Sequence, residues 1–294
     1  MREKINESKK EPLKIQGFTI TTLLAYFIIY SIVGFIIETI FGILTKGVLE
    51  SRKSFIIGPF CSIYGLGAVI MILALQKFKK NNYTLFFGGF LVGSIIEYVI
   101  SLIGEAIFHV VWWDYSDMAF NINGRICVAF SMFWGILAIY LITHFNPKVD
   151  KFLEKFSYKQ LKKAVIIIMI FLMIDMVITG IGLKVFFVRL VSENKVQLNN
   201  MCLHHVTETA MRRIASSIGK KYIDKYIEQY KNMPMKSLVD KIFSNKEMLK
   251  TFPNLKITNK DGNVVLIRDI LSDINPYYLK VFTPKVIDKV KFAE

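Results

Sequence analysis

Five long apolar segments constrain this chain more than any other feature. They run at roughly 19–44, 56–75, 84–108, 126–145 and 164–187, and most of the charge of the first 190 residues lies between them. A helix needs about 20 apolar residues to cross the hydrocarbon core of a bilayer. The expected fold is therefore an all-α polytopic membrane protein with about five transmembrane helices. With 53% hydrophobic residues, the composition suits that class better than a soluble globule. Residues 1–18 form a basic segment carrying Arg2, Lys4, Lys9, Lys10 and Lys14. The apolar run that follows exceeds the roughly 7–15 residues of a signal-peptide core, so it is read as a retained first span.

Lys and Arg in the short loops set the orientation. One side collects the basic N-terminus, Lys77, Lys79, Lys80 and the lysines of 148–163; the other has only Lys46, Arg52, Lys53 and Arg125. This places the N-terminus in the cytoplasm of a cell-membrane protein. The formal charge of +15 is spread along membrane flanks and the tail, which favours anionic lipid over nucleic acid as a partner. The fifth segment contains Asp175, Gly180, Gly182 and Lys184, so it reads either as a span or as a re-entrant, irregular piece. Between the fourth and fifth segments, residues 146–163 begin with Pro147 and put Val149, Phe152, Leu153 and Phe156 on one helical face. That pattern fits an amphipathic helix on the inner leaflet, or a docking helix for a cytosolic partner. Residues 188–294 read as a small α+β soluble domain. Helical patterning covers 206–231, and alternating runs flank a hairpin turn at Asp261-Gly262.

Several chemistries have no sequence support. Three cysteines, Cys61, Cys127 and Cys202, form no CxxC pair, and no His/Cys metal spacing is present. No Walker-type loop is found, so nucleotide hydrolysis would need a separate subunit. No cofactor, metal or catalytic residue is expected from these patterns.

The segments themselves repeat. "VGFIIETIFG" (33–42) aligns with "VGSIIEYVIS" (92–101), so that Glu38 matches Glu97. Downstream, Gly58…Cys61 and Gly124…Cys127 open the next segments, which carry the aromatic-Gly pairs Tyr64-Gly65 and Trp134-Gly135. The region 19–145 is thus expected to be a 2+2 parallel repeat of helix pairs, related by an axis along the membrane normal. Residues four apart share a helix face. One face reads Tyr30, Gly34, Glu38, Gly42, and its counterpart reads Gly89, Gly93, Glu97, Ser101, Glu105, His109. Small residues one turn from each acid permit close helix approach.

Carboxylates at bilayer depth are costly unless paired, hydrated or protonated, so they mark functional sites. The candidate is an outward-facing polar cavity that binds a small polar or charged solute. Its expected lining is Glu38, Glu97, Ser101, Glu105 and His109, with Arg125 as counter-charge. The loop residues Trp113, Asp114, Tyr115 and Asn121 form its rim. The competing reading is polar glue that fixes helix register, with Trp112, Trp113 and Tyr115 as interface anchors.

"YSIVGFIIETIF", "GPFCSIYGLGA", "SIIEYVISLIGEAIFHVVWWDYSD" and "FNINGRICVAFSMFWG" resemble the bacterial membrane-protein family of ABC-transporter type IV (CmpB-like) proteins. The resemblance covers about residues 25–145. It implies a transport protein, a permease-like subunit working with a separate cytosolic ATPase. Two other classes stay open on the residues alone: an intramembrane enzyme acting on an envelope or lipid-linked substrate, and a membrane scaffold or sensor.

Overall fold

The computed structural model describes residues 14–108, 110–193, 224–258, 264–274 and 279–281. Four of its helical runs are long and apolar enough to cross a membrane. They are α1 (Ile20–Lys46), α3 (Asn82–Phe108), the continuous run Val128–Leu153, and α6 (Tyr158–Ser192). Within Val128–Leu153, α4 (Val128–Tyr140) passes through a π-helical turn, Leu141–Phe145, into α5 (Asn146–Leu153). The chain is a largely helical membrane protein. The 27 residues of α1 and the 35 of α6 give lengths of about 40 and 52 Å. The Thr19 hydroxyl caps the start of α1, and Gly47, in the left-handed region at φ 69, ends it.

The second apolar segment departs from expectation. Instead of a helix over 56–75, α2 covers only Ser62–Leu75 and adds a 3-10 turn, Gln76–Phe78. Gly58, at φ +80 before Pro59, turns the preceding chain in a way a side chain would strain. Irregular backbone is tolerated at membrane depth only where protein groups satisfy it, and α6 supplies them. Asp175, fully buried, accepts from Ile57 N at 3.1 Å, and Thr179 Oγ1 accepts from Ile56 N at 3.0 Å. The Thr179 hydroxyl in turn donates to Asp175 at 3.3 Å. The α6 helix runs unbroken through Asp175, Gly180 and Gly182, so the irregularity foreseen for the fifth segment sits in the entry loop of the second.

Segment 146–163 is likewise not one surface helix. Its first half extends the fourth segment, because Asn146 and Asp150 are tied to α1: Tyr30 OH donates to Asn146 Oδ1 at 3.0 Å, and Tyr26 OH donates to Asp150. Its second half opens α6, where Ser157 and Gln160 form a capping box.

Close contacts hold the helices together. α1 packs chiefly on α2, and α3 on α4. A Cβ at Gly34 would collide with Tyr64, and one at Gly93 with Trp134. These small residues let two broad aromatic side chains lie against helix backbone.

The described residues from 224 onward pack on the bundle. Phe186 and Leu190 of α6 join Met248, Leu249, Leu255, Ile257, Ile267 and Leu271 in one core. That core uses α7 (residues 224–231), α8 (Lys236–Ile242), α9 (Asn245–Thr251), α10 (Ile267–Ile270) and the antiparallel strands Lys256–Thr258 and Val264–Leu266. Arg189, 6% exposed, donates to Asp240 Oδ1 at 2.8 Å, Phe243 O at 2.8 Å and Asn245 Oδ1 at 3.0 Å. Val48–Leu49 pairs with Leu279–Lys280, and Val111 bridges to Lys256. These pairings set the C-terminal unit over the bundle end where α1, α3 and α6 finish, hereafter the loop end.

Candidate functional site

A groove of about 1920 Å³ opens at the loop end. Its walls come from α1, α3, α4 and the entry loop to α2, and its roof from the C-terminal unit around Phe252–Lys256. Glu38 of α1 and Glu97 of α3 both line it. Glu38 Oε1 accepts from Tyr64 OH at 2.8 Å. Glu97, 4% exposed, accepts from Tyr115 OH at 2.8 Å and from Trp134 Nε1 at 3.2 Å. The Tyr64 and Trp134 rings sit 5.5 Å apart, so a continuous string runs Glu38–Tyr64–Trp134–Glu97–Tyr115. Gly34 and Gly93 make the string possible by admitting the two rings beside the helices that bear the acids.

The electrostatics of this string are unusual. Among the described residues neither Glu38 nor Glu97 has an ion pair; their partners are neutral donors. Burial, reinforced by the Glu97 carboxylate, pushes the Tyr115 phenol well above its ordinary value, so it stays a proton donor. A carboxylate pair held by neutral hydrogen bonds and open to a groove can accept a cation, a hydroxyl-bearing solute or a proton, because no fixed positive charge competes for it.

The other sequence-selected residues divide into separate groups. Arg125, expected as counter-charge to this whole set of acids, pairs with Glu105 rather than with Glu38 or Glu97 and donates to Ser101 Oγ at 2.9 Å. It also lies over the Tyr98 ring at 5.9 Å. All three members of this knot are buried, at 5% for Arg125, 9% for Glu105 and 2% for Ser101. The loop residues brace one another. Trp113 Nε1 donates to Arg125 O at 2.9 Å, and Asp114 Oδ1 accepts from Ser116 Oγ at 2.6 Å. Asn121 donates to Ser116 O and Met118 O and accepts from Gly124 N. Of Trp113, Asp114, Tyr115 and Asn121, Tyr115 is the one seen to reach a helix acid, Glu97. Its ring stacks on Phe130 at 4.7 Å. His109 lies outside the described residues.

Tyr64 and Trp134 take part in the site without having been selected from the sequence as lining residues. They stood out only as aromatic-Gly pairs, and the spacing that joins them to the acids exists between helices, not along one. A second polar group at the groove's upper end was also not visible. Glu50 accepts from Arg52 at 2.7 Å and from Asn254 Nδ2 at 2.9 Å, with Lys46 at 3.9 Å and Arg268 at 4.0 Å. Those partners lie up to 218 positions away in the chain, so no local motif could reveal them. Among the described residues no group of three His, Cys, Asp or Glu side chains is placed to hold a metal ion.

A family model described as "Putative ABC-transporter type IV" matches residues 25–180. The chain belongs to that family. The match takes in Glu38, Tyr64, Glu97, Tyr115, Arg125, Trp134 and Asp175, so the acid string and the α6 anchor both lie within the type IV region. It stops short of Arg189 and the C-terminal unit. Comparison with curated proteins finds no match, and neither does comparison with solved structures.

Proposed function

We propose that this chain is the membrane-embedded subunit of a type IV ABC transport system, with Glu38 and Glu97 as its solute-recognition centre. One observation carries the reading. Two acids on two different helices, Glu97 buried and Glu38 half-buried, meet the same groove, and among the described residues neither is paired with a cation. Polar residues in the apolar bulk are expensive, so packing alone favours pairing them with opposite charge, as happens eight residues further along α3 at Glu105.

A duplicated helix pair accounts for the arrangement. Tyr64 donates to Glu38 as Trp134 donates to Glu97, and both donors precede a glycine. A Cβ at Gly65 would meet Phe27 O, and one at Gly135 would meet Phe86 O, so the backbone approaches also correspond. Two copies of one acid–aromatic unit, facing a common space, suit recognition of a solute from two sides.

The energy would come from a separate ATPase subunit at the opposite end. There Phe152 and Phe156 pack edge-on at 5.3 Å and are exposed beside Lys148, Lys151 and Lys155. That apolar-and-basic surface is the docking face in this reading, with the N-terminus on the same, cytoplasmic side.

The test uses the full chain reconstituted in proteoliposomes with its co-purifying ATPase, and measures ATP-dependent uptake from a mixed solute pool. Glu38→Gln and Glu97→Gln should each abolish uptake while the complex stays intact. Unchanged uptake in both variants would reduce the acids to packing residues.

A further inference from the structure

The upper end of the groove carries a concentration of positive charge that the acid string does not use. Arg52, Lys46 and Arg268 surround Glu50 at 2.7, 3.9 and 4.0 Å. Lys256, 8% exposed, is near enough to act electrostatically on Lys46. One buried carboxylate therefore faces three cations within 4.0 Å, with Lys256 near Lys46, and all of these residues line the groove. Asp269, the other acid beside Arg268, has a side chain 70% exposed, where water screens it.

This cluster is built into the fold rather than scattered on its surface. Gly42 of α1 leaves the space that the Arg52 guanidinium fills, since a Cβ there would stand 2.8 Å from Nη2. Arg52 Nε and Ser51 Oγ are buried and have no hydrogen-bond partner among the described residues. Buried polar atoms are nearly always paired, so the Arg52 side chain is not locked by a complete set of protein acceptors. Below them the wall turns apolar: Ile37 and Phe41 of α1, Ile103 of α3, and Phe130 and Phe133 of α4. Phe41 and Ile103 are also open at the bundle surface, at 37% and 49% exposure.

We propose that the groove binds a phosphate-headed amphiphile, with the headgroup among Lys46, Arg52 and Arg268 and the acyl chain along Phe41, Ile103 and Phe130. Guanidinium and ammonium donors match phosphate oxygens in charge and geometry, and Arg52 can offer a two-pronged contact. Glu50 competes with the headgroup for these cations. The inference shares its groove with the transport reading and goes beyond it, naming a ligand for the upper end that the acid string does not use.

The experiment compares fluorescent phosphatidic acid with a diacylglycerol of the same chains, binding to the purified full chain in neutral detergent. Phosphatidic acid should bind more tightly. Arg52→Gln and Arg268→Gln should each weaken it about tenfold, the usual worth of one charge-assisted contact. Glu50→Gln should strengthen it, because a competing carboxylate is removed; a merely unfolded variant could not do that. Lys162→Gln, an exposed charge at the far end, should change nothing. Equal binding of the two lipids overturns the proposal, as does equal loss in Lys162→Gln or weakened binding in Glu50→Gln. Glycerol 3-phosphate competing as well as the lipid would overturn the amphiphile assignment. Uptake in the Glu38 and Glu97 variants reports on the transport reading and lipid binding in the Arg52 and Arg268 variants on this one, so the two fail separately.

Discussion

Glu97 and Glu105 lie on one face of α3, about 12 Å apart along the helix axis, and both are buried. Their surroundings could hardly differ more. Glu105 meets a guanidinium and belongs to a closed knot with Ser101; Glu97 meets only a phenol and an indole, and lines a groove. The contrast separates two uses of an acid in an apolar setting. A paired acid fixes helix register, and its loss exposes a buried opposite charge. An acid satisfied by neutral donors has its charge available to something that enters.

That contrast is most easily broken at Arg125. Arg125→Leu takes the guanidinium away from buried Glu105 and should cost about 3–5 kcal/mol of stability, seen as a large drop in thermal unfolding temperature of the detergent-solubilised chain. The analogous insult to the anchor beneath the entry loop is smaller. Asp175→Leu removes the acceptor of Ile57 N–H and should cost about 1–3 kcal/mol. It should also raise the reactivity of Cys61, at the end of that loop, toward maleimide. Glu97→Gln should shift stability by less than about 1 kcal/mol, because the Tyr115 hydroxyl can rotate to accept from the amide. A Glu97→Gln loss as large as that of Arg125→Leu would erase the distinction between the two acids.

The smallest expected effect concerns the far side of the C-terminal unit. Burial alone would raise the Asp240 carboxyl, but hydrogen bonds from Lys236, Tyr230 and Arg189 outweigh it and hold it below its usual range. A depressed carboxyl stabilises the fold above its unfolded value of about 3.9, and the contribution is lost as pH falls through the lower folded value. Acidification below about pH 4 should therefore loosen the packing of the C-terminal unit on α6. Asp240→Asn should abolish that step in a pH series of hydrogen exchange.

The sequence made the membrane class legible, and with it the acids, because hydropathy and buried charge are local properties. It placed Glu38, Glu97 and Tyr115 in one site, and all three meet the groove. It offered Arg125 as counter-charge to all of these acids without choosing one, since both Glu97 and Glu105 lie within plausible reach of a loop guanidinium and only the tertiary path selects Glu105. The length of α2 was hidden for a related reason: residues 56–61 are apolar enough to span, and the acceptors that let them stay irregular, Asp175 and Thr179, sit over a hundred residues away. Glu50 and its cations were invisible because Asn254 and Arg268 arrive only through the packing of the C-terminal unit. Apolar periodicity reports which residues avoid water; it does not report which polar groups meet after they do.

The central claim is that Glu38 and Glu97 face one water-accessible space. It is tested most directly by placing Glu38→Cys and Glu97→Cys, singly and together, in a chain whose Cys61, Cys127 and Cys202 are replaced by Ser. A charged, membrane-impermeant maleimide is then added at the loop end. Labelling of both single variants, and joining of the pair by a short bifunctional maleimide, is the predicted result. Two thiols that stay unlabelled, or that label but cannot be joined, would contradict the account.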